Sequence, residues 1–173
     1  MRKPEKRRWL RHFLPTSSDI RLHTAEKCHM CVECKHNCVV NIGNLAIAFN
    51  VRTWGHEAYL RTGPHYDFDH YKQLVHEITQ AFCGISKEVL GIKERLHHEF
   101  DRPDLSEHLE KLQNKEKQKL ELTAMLQLAR QQAQDHPEED EHQERIQEVK
   151  QKIIKIKEDL SEIMQDFKFD CEE

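Results

Sequence analysis

Near the end of this 173-residue chain, apolar residues recur at alternating steps of three and four positions. The series is Ile146, Val149, Ile153, Ile156, Leu160, Ile163 and Phe167. Such steps place side chains on one stripe of an α-helix, with polar and charged residues on the other side. The sequence therefore predicts a coiled-coil-like helix that packs against other helices.

The overall composition agrees with a helical chain. Only 37% of the residues are hydrophobic and 34% are charged, and the chain has five glycines and five prolines. This balance is typical of long helices with exposed sides rather than of a compact sheet protein. We therefore expect an all-α, elongated molecule with one domain and an appended segment.

The segment VRTWGHEAYLRTGP predicts a short first helix, which Gly63 and Pro64 close. Asp67 then opens a long second helix, in which apolar residues from Tyr71 to Leu96 follow helical spacing.

Two later helices share a start motif in which an Asp precedes a proline and an acid. The motifs are Asp101-Arg-Pro-Asp104 and Asp135-His-Pro-Glu138, and they predict Asp101 and Asp135 as N-caps. Asp67, Asp101 and Asp135 are spaced evenly by 34 residues. The predicted fold is an up-down-up bundle of three long helices, preceded by a short helix and an irregular N-terminal head.

These boundaries divide the chain into three parts. Residues 1–50 form a basic, cysteine-bearing segment that we expect to be poorly ordered, residues 51–170 form the bundle, and residues 171–173 form a tail. The longest mostly apolar run, Val39 to Val51, contains polar residues and is shorter than the ~20 residues that a membrane span needs. We expect no membrane association.

Charge is unevenly distributed along the chain. Residues 1–38 hold nine Lys/Arg against four Asp/Glu, and the remainder holds eighteen against twenty-seven. The N-terminal arm is therefore a candidate contact for nucleic acid or an import receptor. The residues of this candidate contact are Lys6, Arg7, Arg8 and Arg11. We expect a nuclear or cytoplasmic location, because Glu5 and Asp19 disfavour a mitochondrial presequence.

Four clustered cysteines give the sharpest chemical pattern. Cys28, Cys31, Cys34 and Cys38 follow the spacing C-x2-C-x2-C-x3-C, which occurs in iron–sulfur proteins. Val39 stands where the bacterial ferredoxin run has proline, and the spacing also departs from that of structural zinc sites. An unligated thiol segment is the preferred interpretation, so we expect no cofactor; zinc or an iron–sulfur cluster is the alternative.

The third helix carries more apolar residues than one neighbour can cover. The excess residues are Leu122, Met125, Leu126 and Leu128. One interpretation packs this helix between two long neighbours, and the other makes the four residues a docking strip for another protein. Glu116 falls on the expected apolar stripe and could fix the register of packing.

The chain lacks the motifs that indicate common enzyme chemistry. It has no Gly-rich phosphate loop, no G-x-S-x-G and no H-E-x-x-H, and its histidines form no convincing pair. We expect a protein that is not an enzyme.

Three segments resemble the required-for-excision type B (Rex one-B) DNA-repair domain family. They are HYDFDHYKQLVHEITQAFCGISKEVLGIKERL, KLQNKEKQKLELTAMLQLARQQ and KQKIIKIKEDLSEIMQDFKFD, and the resemblance covers roughly residues 51–170. It implies a small non-enzymatic helical protein associated with excision repair of damaged DNA. We expect an accessory or adaptor that contacts proteins such as DNA-repair factors. Direct DNA contact, metal binding and homo-oligomerisation stay open.

Overall fold

The computed structural model describes residues 32–172, and these form four α-helices. The helices are α1 (Val32–Leu60), α2 (Phe68–His98), α3 (Pro103–Asp135) and α4 (Asp140–Asp170). No strand occurs between residues 32 and 172. Over the same range, no helix combines the length and the apolar character that a membrane span requires. The predicted all-α fold, with three long helices after a first helix, is confirmed.

Contacts between side chains fix the helix directions. Gln113 of α3 donates to the carbonyl oxygen of Ser86 in α2 at 3.2 Å. Gln127, farther along α3, accepts from the Tyr71 hydroxyl near the start of α2 at 3.3 Å. The two helices are therefore antiparallel.

α4 is antiparallel to α3 in turn. His108 near the start of α3 lies 2.7 Å from Asp170 at the end of α4, and Lys115 lies 2.6 Å from Asp159. The up-down-up order of α2, α3 and α4 is as predicted.

The first helix is longer than the sequence motif indicated. It starts at Val32 and has 29 residues, so it crosses the predicted boundary at residue 50. Leu45, Ala48 and Phe49 extend the helix because they are buried in the main core, where packing stabilises a segment of modest helix propensity.

Two apolar clusters make up the core. The main cluster contains residues from all four helices, and the second contains residues of α3 and α4 only. The α4 stripe is buried as predicted, with Ile163 partly buried. Phe167 is only 1% exposed. Burying a side chain of this size stabilises the fold by about 1.5–3 kcal/mol.

Of the three predicted N-caps, the one at Asp67 is confirmed and the one at Asp101 is wrong. Asp67 caps α2, because its Oδ1 accepts from the amide of His70 at 3.1 Å. Asp101 adopts a positive φ of 52°, and Arg102 is the cap residue of α3. Pro103 explains the shift: proline starts the helix and disfavours a helical conformation for the residue before it, and Arg102 accordingly has φ −116° and ψ 69°.

The predicted N-cap at Asp135 is also wrong. Asp135 is the last residue of α3, and α4 begins at Asp140 after the cap residue Glu139. The Asp135 carboxylate accepts a 2.6 Å hydrogen bond from the Tyr66 hydroxyl. This tertiary contact uses the carboxylate oxygen that the sequence motif assigned to a helix start.

Candidate functional site

The outward side of α1 is uncharged over most of its described length. The sequence from His36 to Val51 contains no Asp, Glu, Lys or Arg. Seven exposed positions lie at steps of four, three, one, three, four and four, which form one stripe of a helix. We call these residues the α1 face: Val39, Gly43, Ala46, Ile47, Asn50, Trp54 and Ala58.

Three large apolar side chains lie on the α1 face. Trp54 is 64% exposed, Val39 39% and Ile47 36%. The outward sides of the other helices instead carry exposed ion pairs. Examples are Arg95–Glu99 in α2, Lys111–Glu107 in α3 and Lys152–Glu148 in α4. Exposed apolar side chains on one side of a helix make the α1 face a candidate contact surface. One turn after Trp54, the 44% exposed side chain of Glu57 pairs with Arg130 at 3.4 Å.

The inner side of α1 is held tightly against the bundle. A Cβ atom at Gly55 would lie 2.1 Å from Cδ2 of Leu74, so glycine permits a close approach between α1 and α2. The Phe49 ring lies close to two ammonium groups, with Lys119 Nζ 4.9 Å and Lys157 Nζ 5.6 Å from its centroid. Such cation–π contacts add to the apolar packing.

A buried amide joins α1 to α2 and α3. Gln127 Oε1 accepts from Arg52 Nε and from the Tyr71 hydroxyl, each at 3.3 Å. Its amide nitrogen donates to the backbone carbonyl of Arg52 at 3.4 Å. Tyr71 also stacks on Tyr59 of α1, with ring centroids 4.6 Å apart. These bonds fix the rotation of α1 and hence the direction of the α1 face.

His56 lies within this polar layer and is only 2% exposed. Burial, together with the positive charges of Arg130 and Arg52, lowers its pKa from 6.5 to about 4. Its Nδ1 atom is buried without a hydrogen-bond partner. The imidazole is therefore neutral near pH 7, and its edge contact with Tyr71, at a centroid distance of 5.6 Å, is a packing contact.

The four apolar residues predicted on α3 are divided between core and surface. Leu126 is buried in the second cluster, and Leu122 is partly buried between the two clusters. Met125 is 41% exposed and Leu128 is 61% exposed. Only Met125 and Leu128 are therefore available for contact with another molecule.

The predicted metal and basic sites fall largely outside the described residues. Cys28 and Cys31 lie there, as do Lys6, Arg7, Arg8 and Arg11. Cys34 and Cys38 lie in the first part of α1. Metal binding by the four cysteines and contact through the basic arm stay predictions.

Two open clefts lie near the end of α3. One has a volume of about 340 Å³ and the other about 360 Å³. The first is lined by Leu60, Arg130, Ala133, Gln134, Gln143, Ile146 and Lys150. The second includes Tyr66 and Asp135, whose hydrogen bond raises the tyrosine pKa. Neither lining contains a cysteine, serine or histidine that could pair as nucleophile and base.

Sequence reasoning missed the α1 face, although a signal was present. The apolar run from Val39 to Val51 was used only to exclude a membrane span, although the charge-free interval begins at His36. Its lack of charge on both sides of a helix was the sign that one side faces the core and the other is an apolar surface.

Comparisons with known proteins place residues 46–130 within a family model described as DNA repair REX1-B. A protein from Bos taurus named "Required for excision 1-B domain-containing protein" is 39% identical over 129 residues, which are 73% of this chain and 69% of that protein. A protein of the same name from Mus musculus is 37% identical over 128 residues, which are 73% of each chain. No solved structure matches.

Proposed function

The chain belongs to the required for excision 1-B family of DNA-repair domains, and we propose that it is a non-enzymatic accessory protein of excision repair. It acts as an adaptor that binds a protein partner through the α1 face. The observation that carries this proposal is the exposure of Val39, Ile47 and Trp54 on one stripe of α1, where Trp54 is 64% exposed.

The chemistry of the α1 face indicates what the partner contributes. From Val39 to Asn50 the α1 face has no charged group to offer an ionic partner, whereas its apolar side chains can be desolvated at little cost. A helix that presents an apolar, uncharged side fits this surface best. We therefore propose an amphipathic helix of a repair factor as the occupant.

The negative charge of residues 39–173, which we call the body, favours a protein partner over DNA. Residues 39–173 contain eighteen Lys/Arg and twenty-seven Asp/Glu, so this part of the chain is acidic. An acidic body repels the phosphate backbone, from which most DNA-binding free energy comes. An adaptor of this kind would work in the nucleus, next to the proteins that process the DNA.

Pre-organisation makes the α1 face suited to binding. The Gln127 hydrogen bonds to Arg52 and the close contact of Gly55 with Leu74 hold α1 on its inner side. A surface that is already fixed loses less conformational entropy when it binds. The exposed Met125 and Leu128 of α3 remain a second proposed contact.

Quantitative affinity capture tests the proposal. The full chain, a variant with Ile47→Glu and Trp54→Glu, and a control with Leu90→Glu and Ile154→Glu would be incubated with nuclear extract of DNA-damaged cells. The control residues are 43% and 48% exposed on α2 and α4, so they match the apolar exposure of the tested pair. Circular dichroism would check that each variant folds.

We expect mass spectrometry to find excision-repair proteins with the wild type and the control, and at least tenfold less with the α1-face variant. Equal capture by all three proteins would contradict the proposal. Sedimentation equilibrium of the wild type provides a second outcome. A dimer that the α1-face variant abolishes would show that a second copy, rather than a repair factor, occupies the α1 face.

A further inference from the structure

The turn between α3 and α4 gathers groups that typically ligate metal ions. His136, Glu138 and Glu139 each offer one donor atom, and these three atoms all lie within 4.8 Å of one another. All three residues are exposed, so an ion can reach them from solvent. Together with Pro137 they make up the four positions that separate α3 from α4.

A fourth donor comes from the first turn of α4. His142 Nε2 lies 2.9 Å from Glu139 Oε2, and the rings of His142 and His136 have centroids 6.4 Å apart. Ligand atoms of a tetrahedral zinc site stand about 3.4 Å apart, which follows from metal–ligand bonds of about 2.0–2.2 Å. The three donors of the turn lie within 4.8 Å of one another, so small side-chain rotations would bring them to these spacings, and His142 would join them through its contact with Glu139.

The charge around the turn favours a cation. The ten residues DHPEEDEHQE, from Asp135 to Glu144, contain six acids and no Lys or Arg. Asp135 is already engaged by the Tyr66 hydroxyl at 2.6 Å, which leaves it outside the donor set. A bound divalent ion would offset the mutual repulsion of the remaining acids.

We propose that His136, Glu138, Glu139 and His142 bind one zinc-class divalent transition-metal ion. Two imidazoles and two carboxylates form a donor set that suits zinc, whereas magnesium and calcium prefer oxygen ligands alone. The ion would connect the end of α3 to the start of α4. The sequence alone did not indicate this donor set, because Asp135, Pro137 and Glu138 match the motif of a helix N-terminus.

Zinc titration by isothermal calorimetry tests the site on full-length protein first freed of metal. Four proteins are compared because the N-terminal cysteines could also bind zinc. They are the wild type, a His136→Ala/His142→Ala variant, a His97→Ala/His98→Ala control and a variant with Ser at positions 28, 31, 34 and 38. His97 and His98 are an exposed pair of histidines on α2.

We expect the His136→Ala/His142→Ala variant to lose one zinc equivalent or to bind it at least tenfold more weakly. The histidine control and the serine variant should retain that equivalent, and zinc should raise the unfolding temperature of both. A 100-fold excess of Mg²⁺ should not displace the ion. Unchanged zinc binding in the His136→Ala/His142→Ala variant, or displacement by Mg²⁺, would overturn the proposal.

Discussion

Lys119 and Glu116 form an ion pair inside the helical bundle, one turn apart on α3. Lys119 Nζ lies 2.7 Å from Glu116 Oε1, which accepts its hydrogen bond, and 2.6 Å from Oε2. Their side chains are only 6% and 10% exposed. Oε2 is buried without a hydrogen bond, so it interacts with the ammonium group through charge alone.

This geometry predicts strong coupling between the two residues. Lys119→Met should lower the free energy of unfolding by about 3 kcal/mol, because it leaves a buried carboxylate without its partner. The double variant Glu116→Leu/Lys119→Met should recover most of this loss, since no buried charge remains. Urea denaturation measures the free energy of unfolding of the single and the double variant. Losses that simply add in the double variant would rule out the coupling.

An introduced carboxylate should destabilise the protein strongly at Leu126 of α3 and only weakly at Leu128, two positions along the same helix. Leu126→Asp places a carboxylate in the second core cluster and should cost about 3–5 kcal/mol. Leu128→Asp, at a position that is 61% exposed, should change stability by less than about 1 kcal/mol. Thermal and urea unfolding compare the two. Similar losses for both variants would mean that Leu128 also packs in the core.

Acid should destabilise the protein in part through His56. Its folded pKa of about 4 lies below its ordinary value of 6.5, so between these pH values the unfolded chain takes up a proton that the folded chain does not. Stability should therefore fall as pH drops through this window, by up to about 3 kcal/mol at its acid end.

Urea denaturation at pH 7 and at pH 4.5 measures this effect. His56→Gln should reduce the difference in stability between the two pH values, whereas His97→Gln at an exposed position should preserve it. Because Asp104 also has a lowered pKa and titrates in acid, the comparison is made between variants. An identical pH dependence of stability in His56→Gln and the wild type would show that His56 does not contribute to the loss of stability in acid.

The α4 stripe could be predicted from sequence because its spacing alone determines which side of a helix is apolar. The start motifs at Asp101 and Asp135 were ambiguous for a physical reason. Pro103 is the first residue of α3, but Pro137 lies in the turn before α4, and local sequence does not distinguish these positions. The extent of α1 depends on burial of Phe49 against other helices, which spacing within α1 does not reveal.

The candidate site was less accessible to sequence reasoning. Leu126 continues the helical spacing of Leu105, Leu109 and Leu112, whereas Leu128 lies off that stripe. The structure shows that Leu126 is buried and Leu128 is exposed, a division that the apolar residues around them obscured in the sequence. The absence of charge before Arg52 indicates an apolar outer surface only if this interval is helical. The sequence did not predict a helix there, so the α1 face was not recognised.

Complementation of cells that lack this protein tests the central claim, that the α1 face serves DNA repair, most directly. Survival after damage that excision repair removes would be measured with wild type, the Ile47→Glu/Trp54→Glu variant, or the Leu90→Glu/Ile154→Glu control, at equal protein levels. We predict that the wild type and the control restore survival and that the α1-face variant does not. Full rescue by the α1-face variant would contradict the claim.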